Sequence, residues 1–471
     1  MNMVLTLSTL IFPLMTFPYV SRILKPDGMG KVSFAISLVS YFSMFAQLGI
    51  PTYGIRACAK VRDDKEELTR VTHELLAINL ITNLISYLGL FLALLFVNRL
   101  QDERILYLVV SSTIFLTSIG VEWLYKGLEQ YTYITIRSVI FKFISLIAMF
   151  LLIHSESDYV IYGAISIFAA SASNILNFIN IRKYVYLRNV GKYNLKRHIK
   201  AVATFFAMAC ATTIYTNLDT VMLGFMKTDA DVGYYNAGIK IKGILVGLVT
   251  SIGAVLLPRS SYYIEQGKIR EFREVTNKAL RFVLFAAIPT FIYFIIYAKQ
   301  GILFLAGPNY EPAIMPMKVI MPTVLFIGIT NIFGIQMLVP MGKEKHVLYS
   351  EIIGAVTDLV LNVVLIPQYG ALGAAIGTMV AEITVLIYQV YAIRSELAYF
   401  TIKGNIPKYL VAACVASVSC LWVKELMISN FATLCLSGLF FLGVYFLVLV
   451  VLKDEMVRIS SWRSRDGINH Q

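Results

Sequence analysis

The first 56 residues, MNMVLTLSTLIFPLMTFPYVSRILKPDGMGKVSFAISLVSYFSMFAQLGIPTYGIR (1–56), decide the fold class. Residues 1–21 carry no charged side chain, and a second apolar run covers residues 29–51. At about 1.5 Å per helical residue, each run can cross a hydrocarbon core roughly 30 Å thick. The first run lacks the basic start and the small-residue cleavage site of a signal peptide, so we interpret it as a transmembrane helix.

The same pattern continues through all 471 residues, of which 58% are hydrophobic and 15% charged, with a mean hydropathy of +0.72. No soluble domain buries that much apolar surface, and the alternation of membrane β-strands is absent, so an all-α polytopic membrane protein is predicted. We predict fourteen transmembrane helices, at 2–23, 29–51, 72–97, 105–125, 132–153, 159–181, 201–224, 232–257, 279–298, 313–338, 347–366, 371–393, 407–423 and 431–452.

The distribution of lysine and arginine predicts the topology. An even number of helices puts both termini on one side, and 29 of the 41 basic residues lie in the connections and the tail on that side, against 8 on the other. The positive-inside rule therefore predicts cytoplasmic termini. Basic loops facing anionic lipid head groups also explain most of the net charge of +13 without invoking nucleic acid.

A faint internal repeat predicts two lobes. LKPDGMGKVSFA (24–35) resembles MKTDADVGYYNA (226–237), and two weaker collinear matches follow. Such repeats are a transporter device, so we predict two pseudo-repeated six-helix lobes around a central cavity, plus two C-terminal helices. The predicted parts are the N-terminal lobe (1–181), a cytoplasmic basic linker (182–200), the C-terminal lobe (201–395), helices 13 and 14 (396–452) and a cytoplasmic tail (453–471).

Motifs for covalent chemistry are missing from the sequence. It contains no GxxxxGK[ST], HExxH or GxSxG, so we predict no catalytic residue, no metal site and no cofactor. The five cysteines are odd in number and form no CxxC pair, which favours reduced thiols. The five histidines are scattered and mostly near helix ends, which is typical of interfacial residues. A transporter therefore fits better than an enzyme.

Charged residues inside the predicted helices mark candidate sites, because ionisable groups at membrane depth are costly and usually face a cavity or a partner. The cations Lys142, Lys240 and Lys242 predict a cationic cavity and thus an anionic substrate. The alternative is that each forms a structural pair between helices. Arg137 and Lys318 are weaker candidates, since their long side chains can reach an interface.

Three acidic residues, Asp219, Asp358 and Glu382, are candidates for ion coupling. A carboxylate in a low-dielectric cavity can exchange a proton or bind a cation as access to the cavity changes. Polar side chains lie one helical turn from two of them, Tyr215 before Asp219 and Asn362 after Asp358. The alternative is that the acids neutralise nearby lysines.

Several segments resemble bacterial polysaccharide flippases of the Wzx type. FPYVSRILKPDGMGKVSFAISLVSYF (17–42) and LGIPTYGIR (48–56) resemble the start of that family, and further matches lie at 218–241, 307–314, 331–345 and 361–378. The resemblance implies the fold of the multidrug/oligosaccharidyl-lipid/polysaccharide (MOP) exporter superfamily, which includes MATE transporters. It also implies an undecaprenyl-pyrophosphate-linked oligosaccharide as substrate, with a polysaccharide polymerase and a chain-length regulator as partners.

The resemblance also gives a role to Arg22 and Arg56. In related lipid-linked-sugar flippases, arginines on helices 1 and 2 face the cavity, and the planar fork of arginine suits bidentate binding of pyrophosphate. The alternative is that Arg22 is an anchor at the membrane interface. Lys25 departs from the family pattern, because relatives commonly have glycine there.

Two other functions stay open. One is a small-molecule or drug:cation antiporter of the same superfamily, whose cavity should be smaller and more acidic or aromatic. The other is a membrane-embedded polysaccharide polymerase or O-acyltransferase. Such enzymes need a substantial outer loop or a catalytic His or Arg cluster, whereas the longest outer connection here has about 14 residues (299–312).

Overall fold

The computed structural model describes residues 2–400, 404–426 and 428–457. Helices joined by short connections account for most of these residues. Short 3-10 and π-helical segments interrupt some of the longer helices. The α-helices are α1 (Asn2–Gln47), α2 (Ile50–Lys60), α3 (Lys65–Phe96), α4 (Asn98–Gln101), α5 (Arg104–Ile119), α6 (Glu122–Gly127), α7 (Tyr131–Leu152), α8 (Tyr159–Ile167), α9 (Asn174–Asn180), α10 (Lys196–Met226), α11 (Asp229–Glu265), α12 (Ile269–Ile296), α13 (Ala298–Leu305), α14 (Ile314–Ile320), α15 (Thr323–Thr330), α16 (Glu344–Tyr369), α17 (Ala371–Ala392), α18 (Asn405–Cys420) and α19 (Asn430–Val451).

The predicted spans coincide with helical backbone. Among the described residues, eleven helices are long and apolar enough to cross a membrane, or thirteen if each of two bent pairs counts as one span. The first of the eleven, Phe12–Lys60, covers the second half of the first predicted span and all of the second. Its α1 part has a break at Lys25, between the first two predicted spans.

The break in α1 has a cause in the sequence. Pro26 has no backbone N–H, and proline disfavours the helical conformation of the residue before it. Lys25 accordingly has φ 56° and ψ −179°, a region that glycine enters readily and other residues enter only under strain. The glycine expected from the family resemblance would fit this backbone without strain. Here the Lys25 ammonium instead pairs with the carboxylate of Glu156.

Chain packing divides the molecule into two compact units, unit 1 (1–233) and unit 2 (234–471). In unit 1, α1 packs against α3, α5, α7 and α10. In unit 2, α16 packs along α17, α12 packs against α15 and α18, and α18 packs against α19. The boundary therefore follows α10, the helix predicted to open the second lobe. The division into six-helix lobes stays a prediction, and residues 458–471 of the predicted tail lie outside the described residues.

The predicted linker (182–200) is tied to α3 in unit 1. The backbone N–H of Tyr186 donates to the hydroxyl of Thr69 over 3.1 Å, and Arg70 donates to the carbonyl of Val190 over 3.4 Å. Val190 is buried, whereas basic side chains of the linker are exposed. The linker is therefore an ordered segment with an apolar inner side. The exposed basic residues are Arg182, Lys183, Arg188, Lys192, Lys196, Arg197 and Lys200.

Two glycines let parts of the repeated motifs meet within unit 1. A Cβ atom at Gly30 would lie 1.7 Å from the carbonyl oxygen of Asp229, and one at Gly233 would lie 2.2 Å from the carbonyl oxygen of Pro26. Any other residue at either position would clash with backbone, so both must be glycine for this approach. Residues from the two segments that resemble each other in sequence thus touch backbone to backbone.

Candidate functional site

Three of the predicted substrate cations lie in unit 1, on three helices. Arg22 is exposed on α1, and its guanidinium donates to the carbonyl of Pro18. Arg56 is exposed on α2, and Lys142 is half-buried on α7. Exposure leaves both arginines accessible to a ligand and equally to lipid head groups. Their role as substrate ligands stays a prediction.

The other two predicted cations lie in unit 2, on α11. Lys240 is exposed and Lys242 is half-buried. Because the helix turns by about 100° per residue, two positions two apart point in different directions. The two lysines therefore need not serve one ligand group, and their assignment to the substrate also stays a prediction.

Arg137 has a different environment from the one expected. Its side chain is 5% exposed, so the expectation that it reaches an interface is wrong. The guanidinium donates to Ser173 over 2.5 Å and to Asn174 over 3.2 Å, and it lies 3.5 Å from the carboxylate of Glu122. These bonds connect α7 to α6 and α9. Arg137 thus cross-links helices within unit 1.

Two of the predicted coupling acids lie in the hairpin of α16 and α17, which are joined at Gly370. Asp358 is 3% exposed and Glu382 is 4% exposed. A Cβ atom at Gly377 of α17 would lie 3.0 Å from Asp358 Oδ1 and 2.4 Å from Asn362 Oδ1. The glycine thus provides the space in which the polar side chains of α16 approach α17.

The buried polar side chains of this hairpin extend beyond the predicted acids. The hydroxyls of Tyr235 and Thr378 are 2.9 Å apart, and Gln389 donates to Ser350 over 3.1 Å. These residues are buried and were not among the predicted site residues. A spacing of four residues on α16 was the available signal, since residues so spaced share one helix face. The series consists of Ser350, Gly354, Asp358 and Asn362.

The third predicted acid, Asp219, lies on α10 in unit 1 and is 8% exposed. It belongs to the stretch TTIYTNLDT (212–220), in which most side chains are polar. The prediction singled out Tyr215 and Asp219 and missed Asn217 and the threonines around them. The signal was present as a polar run within an otherwise apolar span.

A buried network at the start of α10 was also missed. Glu74 on α3 is fully buried and accepts hydrogen bonds from Asn194 N–H over 2.6 Å, from Arg197 Nε over 2.8 Å and from His198 Nε2 over 2.7 Å. The other ring nitrogen of His198 lies 2.7 Å from the hydroxyl of Tyr53 on α2. His198 is 3% exposed, so its ring is covered by protein.

A second network lies at the C-terminal end of α10. Arg99 donates through Nε to the carbonyl of Gly224 over 2.9 Å and pairs with the carboxylate of Asp229. Its guanidinium also lies 5.6 Å from the centroid of the Phe34 ring on α1. An arginine at a helix C-terminus satisfies a carbonyl that has no partner within the helix. Charged groups thus hold both ends of α10.

Comparison with protein families gives two matches. A family described as "Polysaccharide biosynthesis protein" matches residues 1–264, and the family MatE matches residues 204–364. A protein of Escherichia coli K12 named "Putative O-antigen transporter" is 23% identical over 83% of this chain and 94% of its own length. A protein of the same name from Shigella dysenteriae is 25% identical over 82% of this chain and 96% of its own length.

Solved structures resemble the fold over most of the chain. The lipid II flippase MurJ in an inward closed conformation has a TM-score of 0.76 at 18% identity, covering 96% of this chain and 99% of that protein. An inward-facing multidrug resistance MATE family transporter of the MOP superfamily has a TM-score of 0.65 at 14% identity, covering 83% of this chain and 95% of that protein. These likenesses confirm the predicted all-α, MOP-like polytopic fold.

Proposed function

Because the chain belongs to the polysaccharide biosynthesis protein family, we propose that it is a flippase for undecaprenyl-pyrophosphate-linked oligosaccharide repeat units. It moves them across the bacterial inner membrane for assembly of O-antigen, capsule or exopolysaccharide. The observation that carries the proposal is the similarity, over about four fifths of the chain, to relatives named as O-antigen transporters. A polysaccharide polymerase and a chain-length regulator are the proposed partners.

The polarity of the proposed substrate explains why it needs a protein to cross the membrane. Each unpaired polar group of a sugar placed in hydrocarbon costs roughly 2–7 kcal/mol, and the pyrophosphate adds charge. A hydrated, cationic cavity that opens alternately to each side removes most of that barrier, while the polyprenyl tail stays in lipid. This process forms and breaks no covalent bond, which fits a transporter rather than an enzyme.

We assign pyrophosphate binding to Arg22, with Arg56, Lys142, Lys240 and Lys242 as further cations. Replacing Arg22 with lysine keeps the charge and most of the reach but removes the bidentate fork. Losing one charged hydrogen bond of about 1.5–3 kcal/mol predicts at least a tenfold drop in export by Arg22→Lys, and a larger one by Arg22→Ala. The measurement is surface polysaccharide in a deletion strain, normalised to membrane protein.

Arg104 offers a matched control for Arg22, because it is also an exposed arginine at the end of an apolar span. Arg104→Lys and Arg104→Ala should keep export near the wild-type level. Full activity of both Arg22 variants would show that Arg22 is an interfacial anchor and that other residues carry the charge needed by the substrate.

Ion coupling is assigned to Asp219, Asp358 and Glu382, all of which are buried. An amide keeps the shape of each side chain but can neither exchange a proton nor supply negative charge to a cation. Each amide variant should therefore lose most of its gradient-driven export at a normal level of membrane protein. Wild-type export by all three variants would exclude an essential coupling role for any one of them.

A second function, a drug:cation antiporter, is favoured by the MatE match over residues 204–364. One experiment separates the possibilities. Deletion of the gene should cause undecaprenyl-linked repeat units to accumulate on the inner leaflet. A polymerase or acyltransferase acting outside would leave them on the outer leaflet. An antiporter would leave polysaccharide unchanged and alter drug sensitivity instead.

A further inference from the structure

The helix α10 has few fully buried residues although it is not strongly apolar. In its most apolar 18-residue stretch, 6% of the residues are buried, the lowest share among the eleven single spans of the described chain. The mean hydropathy of that stretch is 1.3, which is also the lowest of the eleven. The span with the smallest share of fully buried residues is therefore also the least apolar.

A helix that exposes its sides to lipid should instead combine a small share of buried residues with a high mean hydropathy. The span α19 does so, because 22% of its most apolar stretch is buried and its mean hydropathy is 2.6. Its most exposed side chains include Leu439 at 72% and Val451 at 70%. Lipid therefore explains the surface of α19 and does not explain that of α10.

The polar side chains of α10 are grouped on one side. At about 100° per residue, the polar residues of TTIYTNLDT (212–220) fall on one continuous arc of roughly 200°. Ile214 and Leu218 occupy the remaining arc. Thr212 and Thr216 are exposed, whereas Thr213 and Asn217 are half-buried. We call these four residues, Thr212, Thr213, Thr216 and Asn217, the polar face.

The hydrogen bonds of the polar face show what it offers a ligand. Thr216 donates its hydroxyl to the carbonyl of Thr212 over 2.8 Å, and Asn217 donates its amide to the carbonyl of Thr213 over 3.1 Å. Asn217 also donates to the hydroxyl oxygen of Thr216 over 3.0 Å. The donors are thus used within the helix, while each hydroxyl or amide oxygen keeps at least one lone pair that can accept a further hydrogen bond. Acceptors without charge suit water and the hydroxyls of a sugar.

We infer that the polar face borders a water-filled space at membrane depth and binds the neutral sugar portion of the lipid-linked oligosaccharide. This inference rests on the proposed function and adds to it a division of labour. Cations hold the pyrophosphate, whereas uncharged hydroxyl and amide groups of α10 hold the glycan. The competing explanation is that the threonines bond to their own helix and face lipid.

Cysteine labelling distinguishes water from lipid. The five native cysteines, Cys58, Cys210, Cys414, Cys420 and Cys435, are first replaced by alanine or serine, and export by this variant is verified. Single cysteines then replace Thr212 and Thr216, with Ile214 and Leu439 as controls. All four positions are exposed in the structure, Ile214 at 38% and Leu439 at 72%, so exposure alone cannot separate them.

The probe is a small, charged, membrane-impermeant methanethiosulfonate, which reacts with thiolate. Because thiolate forms in water and not in hydrocarbon, we expect labelling at 212 and 216 to be at least about tenfold faster than at 214 and 439. Equally slow labelling at all four positions would overturn the inference.

Sugar binding needs a second measurement. Thr212→Val and Thr216→Val keep the side-chain shape and remove the hydroxyl, whereas Thr→Ser at the same positions keeps it. The valine variants should lower surface polysaccharide several-fold at a normal protein level, the serine variants should restore it, and Ile214→Val should have no effect. Normal polysaccharide in both valine variants would overturn glycan binding by this face. Failure of the proposed function has a different result, since polysaccharide would then be unchanged even by deletion.

Discussion

The two ends of α10 are held by charged networks, whereas few residues between them are fully buried. At the start, Arg197 and His198 bind the buried Glu74, and at the other end Arg99 binds the Gly224 carbonyl and Asp229. Between them, the most apolar stretch has 6% of its residues buried.

The two ends also differ from each other. Glu74 has no exposed surface, whereas Arg99 is 32% and Asp229 13% exposed at the side chain. Ion pairs in contact with water are screened and contribute little, while a buried charge that loses its partner is strongly unfavourable. The comparison therefore predicts a gradient of stability effects, from the buried end to the exposed surface.

The largest effect is expected for Glu74→Gln. Glutamine offers one acceptor oxygen where Glu74 uses two, and its amide would face the donors of Arg197 and Asn194. We expect a loss of about 3 kcal/mol in the free energy of unfolding, the lower end of the range for a broken buried pair. Arg197 is partly exposed and keeps its 2.6 Å pair with Glu67, which limits the loss. Thermal unfolding of the purified protein in detergent measures it.

Glu66→Gln is the matched control, since Glu66 is exposed on the same helix. Its effect should stay within about 0.5 kcal/mol. If Glu74→Gln were no more destabilising than this control, the network at the start of α10 would have no structural importance.

An intermediate effect is expected for Arg99→Ala. The substitution removes the bond to the Gly224 carbonyl, the pair with Asp229 and the contact with the Phe34 ring. Because about a third of the side chain is exposed, solvent screening reduces the loss to roughly 1–2 kcal/mol. Arg99→Lys keeps the charge without the fork and should lie between wild type and Arg99→Ala in the same unfolding assay. An Arg99→Ala loss equal to that of Glu74→Gln would contradict the gradient.

The smallest effect is expected for Arg62→Ala in unit 1. Arg62 lies 3.4 Å from Glu129, with the two side chains 49% and 73% exposed. Exposed pairs of this kind contribute about 0–1 kcal/mol, so the melting temperature should change little and still less at high salt. A loss above that of Arg99→Ala would show that exposure does not rank these ion pairs.

The sequence predicted the helices well because a membrane imposes a local rule. Each span must be apolar over about 20 residues, and every such run is mostly helical, with breaks such as those at 120–121 in the run 105–125 and at 321–322 in the run 313–338. The break in α1 was also readable locally, since Pro26 restricts Lys25. The resemblance of residues 17–56 to polysaccharide flippases agrees with the family match, because those motifs depend on residue identity and not on packing.

The candidate site was predictable only in part. Composition and position identified Asp219, Asp358 and Glu382, and all three are buried. The same criteria put Arg137 and His198 near an interface, because proximity to a helix end says nothing about what covers a side chain. Glu74 was not among the predicted site residues, since it lies in the charged first turns of α3.

The sequence by itself determined the membrane-spanning helices, the break at Lys25 and the family, because hydrophobicity and backbone geometry act over neighbouring residues. The tertiary structure alone decided which charges are buried and paired, as for Glu74 with Arg197 and Arg137 with Asn174. It also decided that Thr212 and Thr216 on the polar side of α10 are exposed, whereas Asp219 and Thr220 on the same side are buried. These outcomes depend on which helix faces meet. The contacts of Glu74 join residues more than 100 positions apart in the sequence, and no local pattern encodes such contacts.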